Sequence, residues 1–352
     1  MTVQPRILFA GNFHWNAGSS HTIAEYARVA HAAGCLVGVS AELARMDNQV
    51  PAHLPLVDDL RWGTHLVLIF EGRQFLTLRQ LEQCERIPRH RRLVVDPDGH
   101  WGPFASLGAD DNGSGHRHAS WLSLYRRLAD VVLQPKAEGT LPDGAEFFPY
   151  FGMPPAHRAA DDAPPTDVMD YQLQYIGGNW WRWKALADVI TAALAAQPPV
   201  TRMRVCGRWW DGATCPGHEE ASRSQPGWLA EHGVRVERPV PFGQVVSEMS
   251  RSVASPVLAR PLLARLGMLT PRMFETPASG SIPLITADLA FLATVYGDEA
   301  AQLTFGQRPG SLVERVLQDT VRYRQLTATI QRRLLSTFSH ERVLGQLLKF
   351  LQ

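Results

Sequence analysis

The segment "TPRMFETPASGSIPLI", residues 270–285, sets Arg272 and Glu275 three residues apart. On a helix that spacing puts both side chains on one face. Thr270 is a capping type of residue, Pro271 suits the first helical position, and Gly280 ends the segment before the short apolar run "IPLIT". Pro277 inside the expected helix removes a backbone donor and should kink or shorten it. The pair is either a surface ion pair or part of a site for a polar ligand. A guanidinium matches phosphate oxygens, and an ionised carboxylate accepts hydrogen bonds from neighbouring hydroxyls.

A second constellation is "YIGGNWWRWKAL", where Gly177, Gly178 and Asn179 follow an apolar run and precede Arg182 and Lys184. Glycines let a ligand approach the backbone, a helix start attracts anions, and the cations add charge. A diphosphate needs this combination. A solvated helix face is the plainer reading of Arg182 and Lys184. Arg208 in "VCGRWWDG" repeats the idea, a basic residue after an apolar run and a glycine. Neither a G-x-G-x-x-G fingerprint nor a P-loop is present.

In the first half, His14 follows "RILFAG", Glu71 ends "THLVLIFE" and Asp96 ends "RRLVVD". Each is a candidate proton acceptor for a hydroxyl, histidine because it titrates near neutrality. The structural alternatives are a His14 packed between Phe13 and Trp15, a Glu71 that caps a helix or lies near Arg73, and an Asp96 that forms an Asx turn before Pro97 and Gly99. Cys206, Cys215 and His218 lack a fourth partner and zinc-like spacing, and His100, His116 and His118 form no clearer set, so no metal ligands are expected.

These residues need elements to hold them. Short apolar runs without polar alternation alternate with helical patterns, the mark of parallel sheets covered on both faces. The rhythm breaks at "GMPPAHRAADDAPPTD" and then restarts. The expected organisation is a first domain over residues 1–151, a linker over 152–167, a second domain over 168–338, and a terminal amphipathic helix over 339–352 capped by Ser339. Ligands of such sheets sit beyond the carboxyl ends of the strands.

The 352 residues carry 35 Lys plus Arg against 34 Asp plus Glu, a net charge of +1. That balance offers no basic surplus for nucleic acid, and none is expected as a partner. Four cysteines without framework spacing, the absence of a signal-like start and of an 18-residue apolar run lead to the expectation of a cytoplasmic, soluble chain.

From about residue 170 onward the sequence resembles GT-B glycosyltransferases, nearest to the CgeB-like (spore maturation) branch. Arg272, Glu275 and Gly280 match that branch's Arg, Glu, Gly pattern, and "YIGGNWWRWKAL" its glycine turn and basic residue. The resemblance implies two doubly wound Rossmann-like α/β domains facing a central cleft, with the terminal helix packed back on the first. It implies a second domain that binds a nucleotide-diphosphate sugar, with Glu275 on the ribose and Arg272 facing the diphosphate. Gly11, Gly178, Asn179, Arg182, Lys184, Arg208 and Phe274 complete the expected donor-binding set. His14, Glu71 and Asp96 are then the candidates for catalysis on the acceptor side. Gly267 stands where related enzymes carry a second glutamate, which weakens any inference of a retaining mechanism. The expected function is metal-independent sugar transfer to a small-molecule acceptor, such as a scaffold in natural-product biosynthesis, with no cofactor besides the donor substrate. A non-catalytic nucleotide-sugar-binding partner and a nucleotide-sugar epimerase are the alternatives.

Overall fold

The structure, a computed structural model, describes residues 4–11, 18–41, 54–71, 76–100, 118–137, 139–241, 243–286, 291–305 and 309–351. The chain forms two compact units. The first comprises residues 1–152, 266–269 and 338–352, and the second residues 153–265 and 270–337.

The first unit is built on strands β1 (Arg6–Ala10), β2 (Leu36–Ser40), β3 (Leu56–Val57), β4 (His65–Ile69), β5 (Arg92–Val95), β6 (Val132–Gln134) and β7 (Ala145–Phe147). All pair in parallel, in the order β3-β2-β1-β4-β5-β6-β7. β1, β4 and β5 are continuous apolar runs that are almost wholly buried, as a sheet covered on both faces requires. Helices α1 (Gly18–Val29), α2 (Leu78–Glu85) and α3 (His118–Leu128) connect them. A Thr77–Gln80 capping box starts α2. Ser20 lies inside the first turn of α1 and is buried. Strand order reverses between β1 and β4, so their carboxyl ends form the unit's switch point.

The second unit holds β8 (Tyr171–Ile176), β9 (Met203–Cys206), β10 (Val234–Glu237), β11 (Ser252–Val257) and β12 (Ile282–Ile285), all parallel, in the order β10-β9-β8-β11-β12. Its switch point lies between β8 and β11. Its helices are α4 (Trp183–Ala195), α5 (Glu219–Ser222), α6 (Pro226–Glu231), α7 (Val245–Met249), α8 (Pro261–Leu266), which runs to the edge of the unit, α9 (Arg272–Ala278), α10 (Leu292–Tyr296), α11 (Pro309–Gln318) and α12 (Thr320–Phe338). α11 and α12 are separate helices that meet at Asp319. Residues of the expected linker run along this unit: His157 N–H donates to the Ala278 carbonyl at 2.9 Å, and Ala160 N–H to Gln331 Oε1 at 3.0 Å.

The last helix, α13 (His340–Lys349), belongs to the first unit and packs on α1. Ser339 caps it, accepting from Arg342 N–H at 3.4 Å. Among the described residues no helix is long and apolar enough to cross a membrane.

Candidate functional site

In the second unit the exits of β8 and β9 are pressed together. Gly207 has φ 153°, and a Cβ there would stand 2.1 Å from the Gly177 carbonyl oxygen, so only glycine fits. Trp210 Nε1 donates to that same carbonyl at 2.7 Å. Asn179 is fully buried and its side-chain amide donates to the carbonyls of Ser222 (3.0 Å) and Arg223 (2.8 Å). The long segment after β9 is thereby tied to the Gly177–Gly178–Asn179 turn. Trp181 and Trp209 beside it adopt φ of 56° and 66°, left-handed values that non-glycine residues rarely hold and that collect at functional sites.

Arg182 occupies the position just before α4. Its guanidinium donates to the carbonyls of Gly178 at 3.2 Å and Leu258 at 3.3 Å. It therefore spans the ends of β8 and β11, at the switch point where sheets of this kind bind ligands. Arg208 is half-buried, and its carbonyl accepts Asn179 N–H at 3.0 Å. Lys184 is 86% exposed and pairs along the helix with Asp188 at 2.6 Å, the plain solvated face.

α9 is short, as Pro277 demands, and ends at Ser279 and Gly280, whose φ is 79°. Pro271 takes the cap position without a side-chain cap; Thr270, expected to cap, has a buried hydroxyl with no hydrogen-bond partner. Arg272 Nη1 lies 2.7 Å from Glu275 Oε2, with both side chains mostly buried, so the pair is no surface ion pair. The contact is between charges without hydrogen-bond alignment, and Glu275 Oε2 has no hydrogen-bond donor. Phe274 is 0% exposed and belongs to the core, since adjacent residues of a helix face different sides.

In the first unit, Gly11 is buried directly after β1, and His14 lies outside the described residues. Glu71 follows β4, and its Oε2 accepts Ser19 N–H at 3.3 Å in the first turn of α1, beside the β1/β4 switch point. Asp96 is 0% exposed and accepts from His100 N–H (3.0 Å), Tyr125 Oη (3.2 Å) and Gln134 Nε2 (2.8 Å). Its carboxylate holds the turn after β5, the structural alternative raised by its sequence. Sequence reasoning passed over Tyr150, which is buried near Glu71; burial above all pushes its phenol well up, Ser19 lowers it and the Glu71 charge raises it further. Nothing in "FFPYFG" signals that placement.

Burial pushes the Cys206 thiol up to about 11 and the Cys84 thiol up to about 12, which disfavours the thiolate at both. Among the described residues no group of three or more His, Cys, Asp or Glu could hold a metal ion.

A family model described as "Glycosyl transferase-like" matches residues 185–349, just under half of the chain. No curated protein matches the sequence. Among solved structures, the chain is similar to the T4 phage BGT in complex with UDP and Mn2+, with 13% identity, a TM-score of 0.56 and 99% of each chain covered. It is similar to an alpha-glucosyltransferase in complex with UDP and a 13-mer DNA containing a HMU base, with 11% identity, a TM-score of 0.62 and 99% of each chain covered. A third is the DNA modifying enzyme beta-glucosyltransferase, studied with and without its substrate uridine diphosphoglucose, at 12% identity, a TM-score of 0.53 and 99% coverage of each. The two doubly wound units and these likenesses establish the GT-B fold. The family match accords with the expected glycosyltransferase class, and the similar structures named here are of proteins that bind UDP or uridine diphosphoglucose.

Two expectations are corrected. A small-molecule acceptor and the exclusion of nucleic acid both give way, because the similar structures include an alpha-glucosyltransferase in complex with DNA and a DNA modifying beta-glucosyltransferase, each 99% covered. The exclusion rested on a net charge of +1. Net charge sums the whole chain, whereas a nucleic acid meets only a local surface.

Proposed function

We propose that this protein transfers a sugar from a uridine diphosphate sugar to a hydroxyl carried by a nucleic acid. The second unit holds the donor and the first the acceptor. The observation that carries the reading is Glu275, a nearly buried carboxylate oxygen without a hydrogen-bond donor, held by Arg272. Such an oxygen suits the vicinal hydroxyls of a ribose, which supply the missing donors. Arg272, Arg182 and Arg208 face the diphosphate and offset its growing charge as it leaves, the role a metal plays elsewhere. The Gly177–Gly178–Asn179 turn admits the phosphates to the backbone.

Glu71 is the base. It takes the proton of the acceptor hydroxyl while the oxygen attacks the anomeric carbon and the bond to the diphosphate breaks. His14 is the other candidate, and Asp96 serves by shaping its turn. The CgeB-like branch is the nearer kinship, supported by the Arg272, Glu275 and Gly280 spacing. A cytoplasmic setting supplies the donor.

The test joins binding and transfer. Wild type and Glu275→Gln are titrated calorimetrically with UDP and assayed with UDP-glucose and a duplex DNA carrying a hydroxymethylated base. The amide leaves one acceptor and adds a donor, so UDP affinity should fall by about tenfold to a hundredfold, or ~1.4 to 3 kcal/mol. Unchanged affinity rules out the ribose role. The absence of glucose on the DNA rules out this acceptor class.

A further inference from the structure

The first turn of α1 carries more polar chemistry than a helix start needs. Glu71 already accepts Ser19 N–H there at 3.3 Å. Beside it lie two hydroxyls, Ser19 Oγ and Tyr150 Oη, on residues 1% and 0% exposed. The two lie near enough for Ser19 to lower the Tyr150 phenol, but neither oxygen has a partner in hydrogen-bond geometry. Buried polar groups are nearly always paired, because an unpaired one loses its water and gains nothing.

Tyr150 is also held in place. Its φ is 55°, a left-handed value for a non-glycine residue. Its carbonyl accepts the Tyr26 hydroxyl, and its ring packs against Phe151 at 4.9 Å and Tyr26 at 6.3 Å between centroids. Burial keeps the phenol protonated, hence a donor. A carboxylate flanked by two unpaired hydroxyls repels an anion. It suits a neutral group that both donates and accepts, which is an alcohol.

We infer that Tyr150 and Ser19 are positioning residues, whose hydroxyls complete the hydrogen bonds of Glu71 and of the acceptor alcohol that enters beside it. The inference rests on the reading of Glu71 as base. The acceptor proton passes to the Glu71 carboxylate, the alcohol oxygen bonds the anomeric carbon, and the nucleoside diphosphate leaves with the electrons of the broken bond.

Tyr150→Phe and Ser19→Ala each delete one oxygen and keep the packing. Both are assayed from pH 5 to 9 with UDP-glucose and the hydroxymethylated duplex, with Glu71→Gln alongside. Each hydroxyl deletion should lower kcat/KM for the duplex by about tenfold or more. The acid limb of the pH profile should move upward, since a carboxylate that loses hydrogen-bond donors holds its proton more tightly. KM for UDP-glucose should stay constant, and Tm should hold or rise, because an unpaired buried hydroxyl stabilises nothing. Unchanged kcat/KM and pH profile in both variants, with Glu71→Gln inactive, overturn the positioning role and leave the base reading standing. An active Glu71→Gln overturns both, as does a wild type that neither transfers glucose nor hydrolyses UDP-glucose.

Discussion

At the residue scale, side-chain chemistry and spacing separated ligand-like groups from plain ones only in part. Arg272 and Glu275 are a close, largely buried pair, whereas Lys184 is a solvated partner of Asp188, though both readings began from the same kind of spacing argument. Arg182 differs from Lys184 because its planar fork reaches two carbonyls at strand ends. If it also faces the donor diphosphate, Arg182→Ala should weaken UDP far more than uridine. The expected loss is about 1.5 to 3 kcal/mol of charge-assisted contact. Titration of both ligands decides, and equal losses would show that the guanidinium only braces the turn.

At the element scale, the second unit is tied at one sheet edge by charge. Arg204 of β9, only 6% exposed, pairs with Glu237 of β10 and with Glu248 of α7, and Glu248 also pairs with Arg251. Burial alone would raise the Glu248 carboxyl, but the hydrogen bonds and charges of Arg204 and Arg251 together hold it below its ordinary value. A carboxyl lowered by folding contributes stability above its unfolded pKa and loses it as pH falls through the folded value. Glu248→Gln should therefore have a lower Tm than wild type at pH 7, and the gap should close as the solution is acidified below about pH 4.5. Thermal melts of the two proteins from pH 7 to 3 check this, and a gap independent of pH would leave packing as the only role of the pair.

At the scale of the whole molecule, chain order and unit membership diverge. Helix α13, far in sequence from β1, completes the first unit, with Val343, Leu344 and Leu347 each 0% exposed. Burying such a side chain contributes about 1.5 to 3 kcal/mol, against roughly 5 to 15 for a domain. A chain ending at Phe338 should lose hydrogen-exchange protection throughout β1, β4 and α1, while β8, β9 and β11 keep theirs. Unchanged protection in the first unit would mean that α13 merely covers a fold stable without it.

What the sequence determined by itself is what depends on local pattern. Continuous apolar runs such as "RILFA" and "HLVLI" dictate buried parallel strands, Pro277 and Gly280 limit α9, and Ser339 starts α13, because each acts through the backbone of its own neighbourhood. The Arg272–Glu275 pair was legible for the same reason, since three residues is less than one helical turn. The roles of Asp96, Phe274 and Tyr150 were decided by burial among residues distant in sequence: Tyr125 and Gln134 around Asp96, Tyr26 and Glu71 around Tyr150. Only the tertiary structure brings such groups within hydrogen-bonding and screening distance, and those distances decide whether a carboxylate or a phenol holds a turn or faces a ligand.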